Sequence, residues 1–164
     1  MNSTGIAQVK TAARALRRDD WDLVLTSPLG RARETAEIIA EQLGFDDIHQ
    51  QELLVERSFG EAEGLAYDQW KLKYSNLDEI PGGESKSELT ARSKLLLQTF
   101  ASTHPGKRIL TISHGALIRT VLAISSDNEL PREGERLGNA SLNIVSHQES
   151  SWTVTKYDLD PLSE

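Results

Sequence analysis

One stretch constrains this chain more than any other: Ile109-Leu110-Thr111-Ile112-Ser113-His114-Gly115-Ala116-Leu117-Ile118. A β-branched and aliphatic run ends in Ser-His-Gly and passes directly into an apolar segment with helical spacing. The pattern predicts a buried strand, a sharp turn and a helix, with a single imidazole at the turn. In open α/β sheets ligands sit beyond the carboxyl ends of the strands, which is where this order puts His114. A histidine at such a position is as often a satisfied core residue as a working one, so its meaning depends on partners.

A second strand–turn–helix lies upstream. Residues 22–26 form a short apolar run read as a buried parallel strand. Ser27 is expected as a helix cap and Pro28 in the first turn, with the helix passing through Ala36, Ile38, Ile39 and Leu43 until Gly44 stops it. In a parallel sheet the two turns fall on the same edge. Arg31 and Arg33 then stand at a helix N-terminus, where the macrodipole disfavours cations and an anion between them would relieve the strain. The plainer reading leaves both arginines solvated at a cost of about a few tenths of a kcal/mol.

The third candidate is the glycine-bracketed loop 56–64. A carboxylate there is a candidate general acid, but composition does not choose among Glu56, Glu61 and Glu63. The remaining histidines look incidental: His49 lies in a polar run, His104 precedes Pro105, and His147 enters a polar hairpin. No His-x-x-x-His or Asp-x-Asp-x-Asp spacing suggests a metal, no cofactor fingerprint is present, and none is expected.

The other elements follow from periodicity. Ser3 or Thr4 is expected to cap a first helix with Ile6, Val9, Ala13 and Leu16 on one face. Residues 48–55 read as a weak or edge strand, 67–74 as a short helix carrying Trp70 and Leu72, and 76–83 as a loop. Ser85-Lys86-Ser87-Glu88 matches a capping box and opens a helix through Leu89, Leu95, Leu96 and Phe100. Residues 126–135 are an acidic loop. Runs 140–145 and 151–157 form a hairpin around Glu149-Ser150, and the last residues form a loose tail. Trp70 and Tyr74 suit an apolar lid, although aromatics at helical spacing more often belong to a core.

Composition narrows the function. A length of 164 residues suits one domain spanning 1–164, and the net charge of −7 argues against nucleic acid or an anionic membrane as partner. The absence of cysteine excludes disulfides and thiol catalysis. No run is long and apolar enough to cross a membrane and no secretory signal precedes the first helix, so a cytoplasmic location is expected. The residues alone thus point to an α/β domain with an anion site built from Arg31 and His114.

Four segments occur in register: Ser27-Pro28-Leu29-Gly30-Arg31-Ala32-Arg33-Glu34-Thr35-Ala36, Glu56-Arg57-Ser58-Phe59-Gly60-Glu61-Ala62-Glu63-Gly64, Pro81-Gly82-Gly83-Glu84-Ser85 and Ser113-His114-Gly115. Together they resemble the histidine phosphatase superfamily, the phosphoglycerate-mutase-like fold, along essentially the whole chain. The short central insert is similar to the small bacterial phosphatases rather than the glycolytic mutases. The resemblance implies a three-layer α/β/α domain with a mostly parallel sheet and hydrolysis of a small phosphomonoester through a phosphohistidine. It implies that Arg31 binds the phosphoryl oxygens, that His114 and Gly115 line the phosphate pocket, and that Glu56 protonates the leaving alcohol. Specificity would come from loops 64–85 and 126–138, neither of which names a substrate.

The sequence departs from the family at one point. The Arg-His-Gly that ends the family's first strand, and supplies its nucleophile, has no match here. The chain is therefore expected to lack that first strand and to be inactive or nearly so. Because Leu codons serve as bacterial start codons, and relatives commonly carry Leu before the position of Asn2, a shortened version of a complete phosphatase is the leading explanation. The missing strand belongs beside 109–112, so low stability, self-association into a homo-oligomer or altered pairing is expected unless another chain fills the gap. The alternatives are a catalytically inactive relative that binds a phosphorylated ligand or a protein partner, and a degenerate fragment without a stable fold.

Overall fold

The computed structural model describes residues 1–159; the expected C-terminal tail lies outside them. In chain order the elements are α1 (Ser3–Ala15), β1 (Leu23–Thr26), α2 (Gly30–Leu43), β2 (Ile48–Gln50), α3 (Tyr67–Lys73), α4 (Lys86–Thr103), β3 (Ile109–Ile112), α5 (Gly115–Ile124), β4 (Leu142–Gln148) and β5 (Ser151–Leu159). Short 3-10 turns at Arg18–Asp20, Glu52–Leu54, Gly60–Ala62 and Leu77–Glu79 join them.

Strand alternation builds two cores on one sheet. Val24 of β1 and Leu110 and Ile112 of β3 face α1 and α2, packing on Val9, Ala13, Ala36 and Ile39. Leu25 faces the other way, onto Leu89, Leu96 and Phe100 of α4 and Leu117 of α5. The result is the expected three-layer α/β/α arrangement. All pairings in this sheet are parallel, in the order β2-β1-β3, with Leu23 opposite Ile109 and Thr26 opposite Ile112. At its start the β1–β3 pair is pinned by Asp22, which accepts from the Arg108 N–H at 2.7 Å and donates its own N–H to the Arg108 carbonyl at 2.8 Å. The first of these bonds holds the Asp22 carboxyl below the usual carboxylate range.

The sheet stops at β3. Only one edge of β3 carries a ladder, and among the described residues no strand pairs with the other. Thr111, which shares a face with Leu25 by register, is exposed. The β4–β5 hairpin forms its own antiparallel sheet, tied back through the Val154 N–H to the Ser125 carbonyl and through Trp152 packed on the α4–α5 core. Its turn uses Glu149 and Ser150, both at positive φ, as a two-residue hairpin turn demands.

Several boundaries differ from the sequence expectation. Asn2, not Ser3 or Thr4, caps α1 by accepting from the Gly5 N–H. The second helix starts at Gly30, because the Ser27 hydroxyl closes a turn on the Leu29 N–H two residues before the helix instead of capping it. The expected strand 48–55 shrinks to three residues, since Gln51 accepts from the Leu53 N–H and turns the chain into a 3-10 segment. The capping box at Ser85 and Glu88 forms as expected. On α3, Leu72 is 91% exposed, and the Tyr74 hydroxyl donates to Glu61 rather than entering a core.

The two glycine-rich motifs, 58–64 and 81–84, lie in contact with each other. Glu61 and Glu84 donate their N–H groups to the Pro81 and Ser58 carbonyls, and Phe59 pairs with Gly83. Gly60 sits at φ +50°, and a Cβ there would run into the Pro81 carbonyl and the Gly83 amide. Gly60→Ala is therefore expected to destabilise the protein by about 2 kcal/mol or more. The urea midpoint reads this directly, whereas Gly64→Ala, with open space around its Cβ position, should cost less.

Candidate active site

Parallel pairing of β1 with β3 brings the two strand–turn–helix segments side by side. The Ser27 N–H donates to the Ile112 carbonyl at 3.0 Å, which carries the register one residue past the end of the ladder. His114 then lies over the β1–α2 turn. Its Nε2 is 2.8 Å from the Ser27 hydroxyl, and its Nδ1 accepts from Arg31 Nε at 3.1 Å. His114 is 5% exposed although it is the residue just before α5, because its side chain turns into the site instead of capping the helix. Arg31 is exposed apart from this bond. Arg33, weighed with it from sequence, is exposed two residues on, and no hydrogen bond or ion pair links it to this cluster. The structure thus joins Arg31 to His114 rather than to Arg33.

The structure also distinguishes the three glutamates of the 56–64 loop. Glu61 bonds to Lys73 and Tyr74, and Glu63 closes its own loop on the Phe59 N–H. Only Glu56 reaches the α5 terminus. Its Oε1 accepts from the Ala116 N–H at 3.2 Å and the Arg57 N–H at 3.0 Å. Gly115 is exposed in the first turn of α5, beside the free end of the helix dipole. Arg31, Glu56, His114 and Gly115 therefore gather at the carboxyl ends of β1 and β3. The other histidines stay apart: His49 is exposed on β2, His104 ends α4, and His147 lies against the Trp152 ring.

An ion-pair network that the sequence did not reveal holds Glu56 in place. Arg92 of α4 donates from Nη1 to the Leu53 and Val55 carbonyls, at 2.8 and 2.9 Å, and grips Glu84 with Nε and Nη2, each at 2.7 Å. The buried Arg57 donates to the Glu84 carbonyl at 2.7 Å and to Asp78 at 2.8 Å. The backbone on both sides of Glu56 is thereby fixed by guanidinium groups. The signals present in sequence were the Glu56-Arg57 pair and Glu84 within its motif; Arg92 carried none.

Burial pushes the His114 imidazole down from its ordinary 6.5 to about 4, with the nearby positive charges of Arg31 and Arg92 acting in the same direction. At neutral pH the ring is uncharged and the Arg31 guanidinium stands beside it as the cation, which suits an anion. Among the described residues no group of histidines and carboxylates fits a metal ion. The shift couples folding to pH. Below 6.5 the unfolded imidazole takes a proton that the folded one refuses until about 4. Stability should fall as pH drops through that window and level off beneath it. His114→Gln is expected to remove this part of the slope, seen by comparing urea midpoints of the two proteins across the window.

Comparison with known proteins places this geometry in a family. Residues 1–160 match the histidine phosphatase superfamily, branch 1. An uncharacterized phosphatase, PhoE, of Bacillus subtilis is 31% identical over 160 residues, an alignment covering 98% of this chain and 82% of the relative. A metal-independent phosphoserine phosphatase of Arabidopsis thaliana is 28% identical, with 99% of this chain and 73% of the relative covered. Among solved structures, a mycobacterial glucosyl-3-phosphoglycerate phosphatase in complex with inorganic phosphate superposes with a TM-score of 0.81 at 23% identity, covering 98% of this chain and 88% of that one. An Entamoeba histolytica phosphoserine phosphatase mutant bound to phosphoserine gives 0.80 at 26% identity, covering 96% and 83%. With the fold, the in-register motifs and the match over residues 1–160 in agreement, the chain belongs to the histidine phosphatase superfamily, branch 1.

Proposed function

We propose that this chain is built to hydrolyse a small phosphomonoester through a phosphohistidine, and that the attacking histidine is none of the four in its sequence. The observation that carries the reading is the meeting of Arg31, His114 and Glu56 at one sheet edge, around the N-terminus of α5. Phosphoryl transfer needs positive donors on the equatorial oxygens and an acid on the leaving oxygen. Arg31 supplies the first, with its planar fork of donors suited to phosphate. His114 and the Gly115 end of α5 add hydrogen bonds to the same group. Glu56 gives its proton to the leaving alcohol as the ester P–O bond breaks. Its carboxylate then takes a proton from the water that attacks the phosphohistidine, which releases inorganic phosphate and restores both groups.

The open edge of β3 suits the missing part. A parallel strand docked there would end at the same sheet edge as His114, because all strands of a parallel sheet end together. A histidine in the turn after that strand would face Arg31. Relatives bind phosphate and phosphoserine in their solved structures, which supports the same ligand class here. A second reading, phosphate binding without turnover, is favoured by the absence of Arg-His-Gly from the sequence.

Calorimetry with inorganic phosphate and turnover of p-nitrophenyl phosphate test these readings together. The chain should bind phosphate, and Arg31→Ala should weaken binding on the order of tenfold or more, the loss of a charge-assisted hydrogen-bonded pair. Turnover should stay at background. The same chain preceded by a strand ending in Arg-His-Gly should turn over, whereas a binding-only relative would not. In that extended chain Glu56→Gln should slow alkyl phosphates about 100-fold but nitrophenyl phosphate much less, since nitrophenolate leaves without a proton. Turnover by the 164-residue chain that His114→Ala abolishes would overturn the assignment of the nucleophile, and absence of phosphate binding would overturn the site.

A further inference from the structure

The hydrogen bonds around His114 determine which of its nitrogens carries the proton. A guanidinium has donors only and stays charged in proteins, so the bond from Arg31 Nε requires Nδ1 to be a bare acceptor. A neutral ring must then hold its proton on Nε2, and that nitrogen points at the Ser27 hydroxyl 2.8 Å away. Ser27 is built to receive it. It is wholly buried, its N–H is tied to the Ile112 carbonyl at 3.0 Å, and its hydroxyl oxygen also accepts from the Leu29 N–H at 3.3 Å. The oxygen's two acceptor positions suit the Leu29 N–H and Nε2–H together.

We propose that Ser27 is a positioning residue that accepts from Nε2–H and so holds His114 in the form that Arg31 selects, with Nδ1 the nitrogen presented to phosphate, and that phosphate binding brings a second proton onto Nδ1. The step balances simply. The anion draws the Arg31 guanidinium off Nδ1, and a proton from solvent takes the vacated lone pair. The resulting imidazolium donates from Nδ1 to a phosphoryl oxygen and from Nε2 to Ser27. The charges facing the ring are Arg31 from α2 and Arg92 from α4, both opposing protonation, with Glu56 next to it on the α5 terminus. A bound phosphate dianion offsets the two arginines, and desolvated imidazolium paired with phosphate is stable where the lone imidazolium was not. Without Ser27 the Nε2–H loses its acceptor, and once the anion draws Arg31 away no side-chain bond to the protein holds the ring in place.

This inference rests on the phosphate-site reading, and one experiment separates the two. Nitrogen-15 spectra of the His114 ring at pH 7 report each nitrogen's protonation. The free protein should show Nδ1 unprotonated and Nε2 protonated; saturating inorganic phosphate should protonate both. Ser27→Ala should keep the free-state tautomer, which Arg31 fixes, but shift the Nε2 resonance through loss of its acceptor and weaken phosphate binding on the order of tenfold, as for one hydrogen bond to a charged group. Ser27→Thr, which keeps the hydroxyl, should restore both. A free wild-type ring protonated on Nδ1, a Ser27→Ala protein with the wild-type Nε2 resonance and phosphate affinity, or a ring still singly protonated with phosphate bound would overturn the proposal. If phosphate does not bind at all, the phosphate-site reading and the second-proton step fail together, and the free-state spectra still decide the Ser27 bond to Nε2. Should Ser27→Ala not fold, the wild-type and Ser27→Thr spectra decide it.

Discussion

The parallel pairing of β1 with β3 is the constraint from which the rest of the site follows. Its register, Thr26 opposite Ile112 with the Ser27 N–H reaching the Ile112 carbonyl, sets two turns from distant parts of the chain beside one another. Both side-chain hydrogen bonds of His114 cross that boundary, to Ser27 and to Arg31. A slip of one residue would send each side chain of β3 to the opposite face and carry the imidazole away from both partners. The candidate site's geometry and core packing are therefore specified by the same alternation: Leu110 and Ile112 bury themselves against α1 and α2, and that choice aims the residues after Ile112.

Around this pair the structure uses arginine in two ways. Arg31 faces outward with a single protein hydrogen bond from its Nε and stays available to an anion. Arg57 and Arg92 are committed to backbone carbonyls and to Asp78 and Glu84, and they hold the Glu56 loop against α4. Pairing compensates much of the desolvation of these inner arginines, and their gain is a defined loop conformation more than stability. The glycines of the 58–64 and 81–84 motifs serve the same end, since the two backbones approach too closely at Gly60 for a side chain.

Among the described residues, one edge of β3 is left unpaired. An uncovered parallel strand exposes backbone donors and acceptors and an apolar flank, which invites a further strand. Here the unpaired edge lies on the strand that leads to His114, with the β4–β5 hairpin held as a separate sheet. A strand accepted there would extend the hydrogen-bonded sheet beside the His114 turn.

Much of this was legible in the sequence for a physical reason: the elements are local. Apolar runs of four residues, the Ser85–Glu88 capping box, and Gly44 as a left-handed helix stop act over a few residues, and each appears where periodicity places it. The strand–turn–helix around His114, and Arg31 on the same sheet edge, follow from the same local signals. The sequence could not choose among Glu56, Glu61 and Glu63, because all three are carboxylates in one polar loop and only packing against the α5 terminus separates them. It took Ser27 for a helix cap, although the residue's decisive bond runs to a histidine 87 positions away. It was silent on Arg92, whose partners are backbone carbonyls with no signature in side-chain chemistry. The sequence by itself determined most of the elements, their order and the candidate histidine; only the tertiary structure decided which groups meet that histidine and which of its nitrogens each one faces, because those depend on contacts between segments that no local pattern encodes.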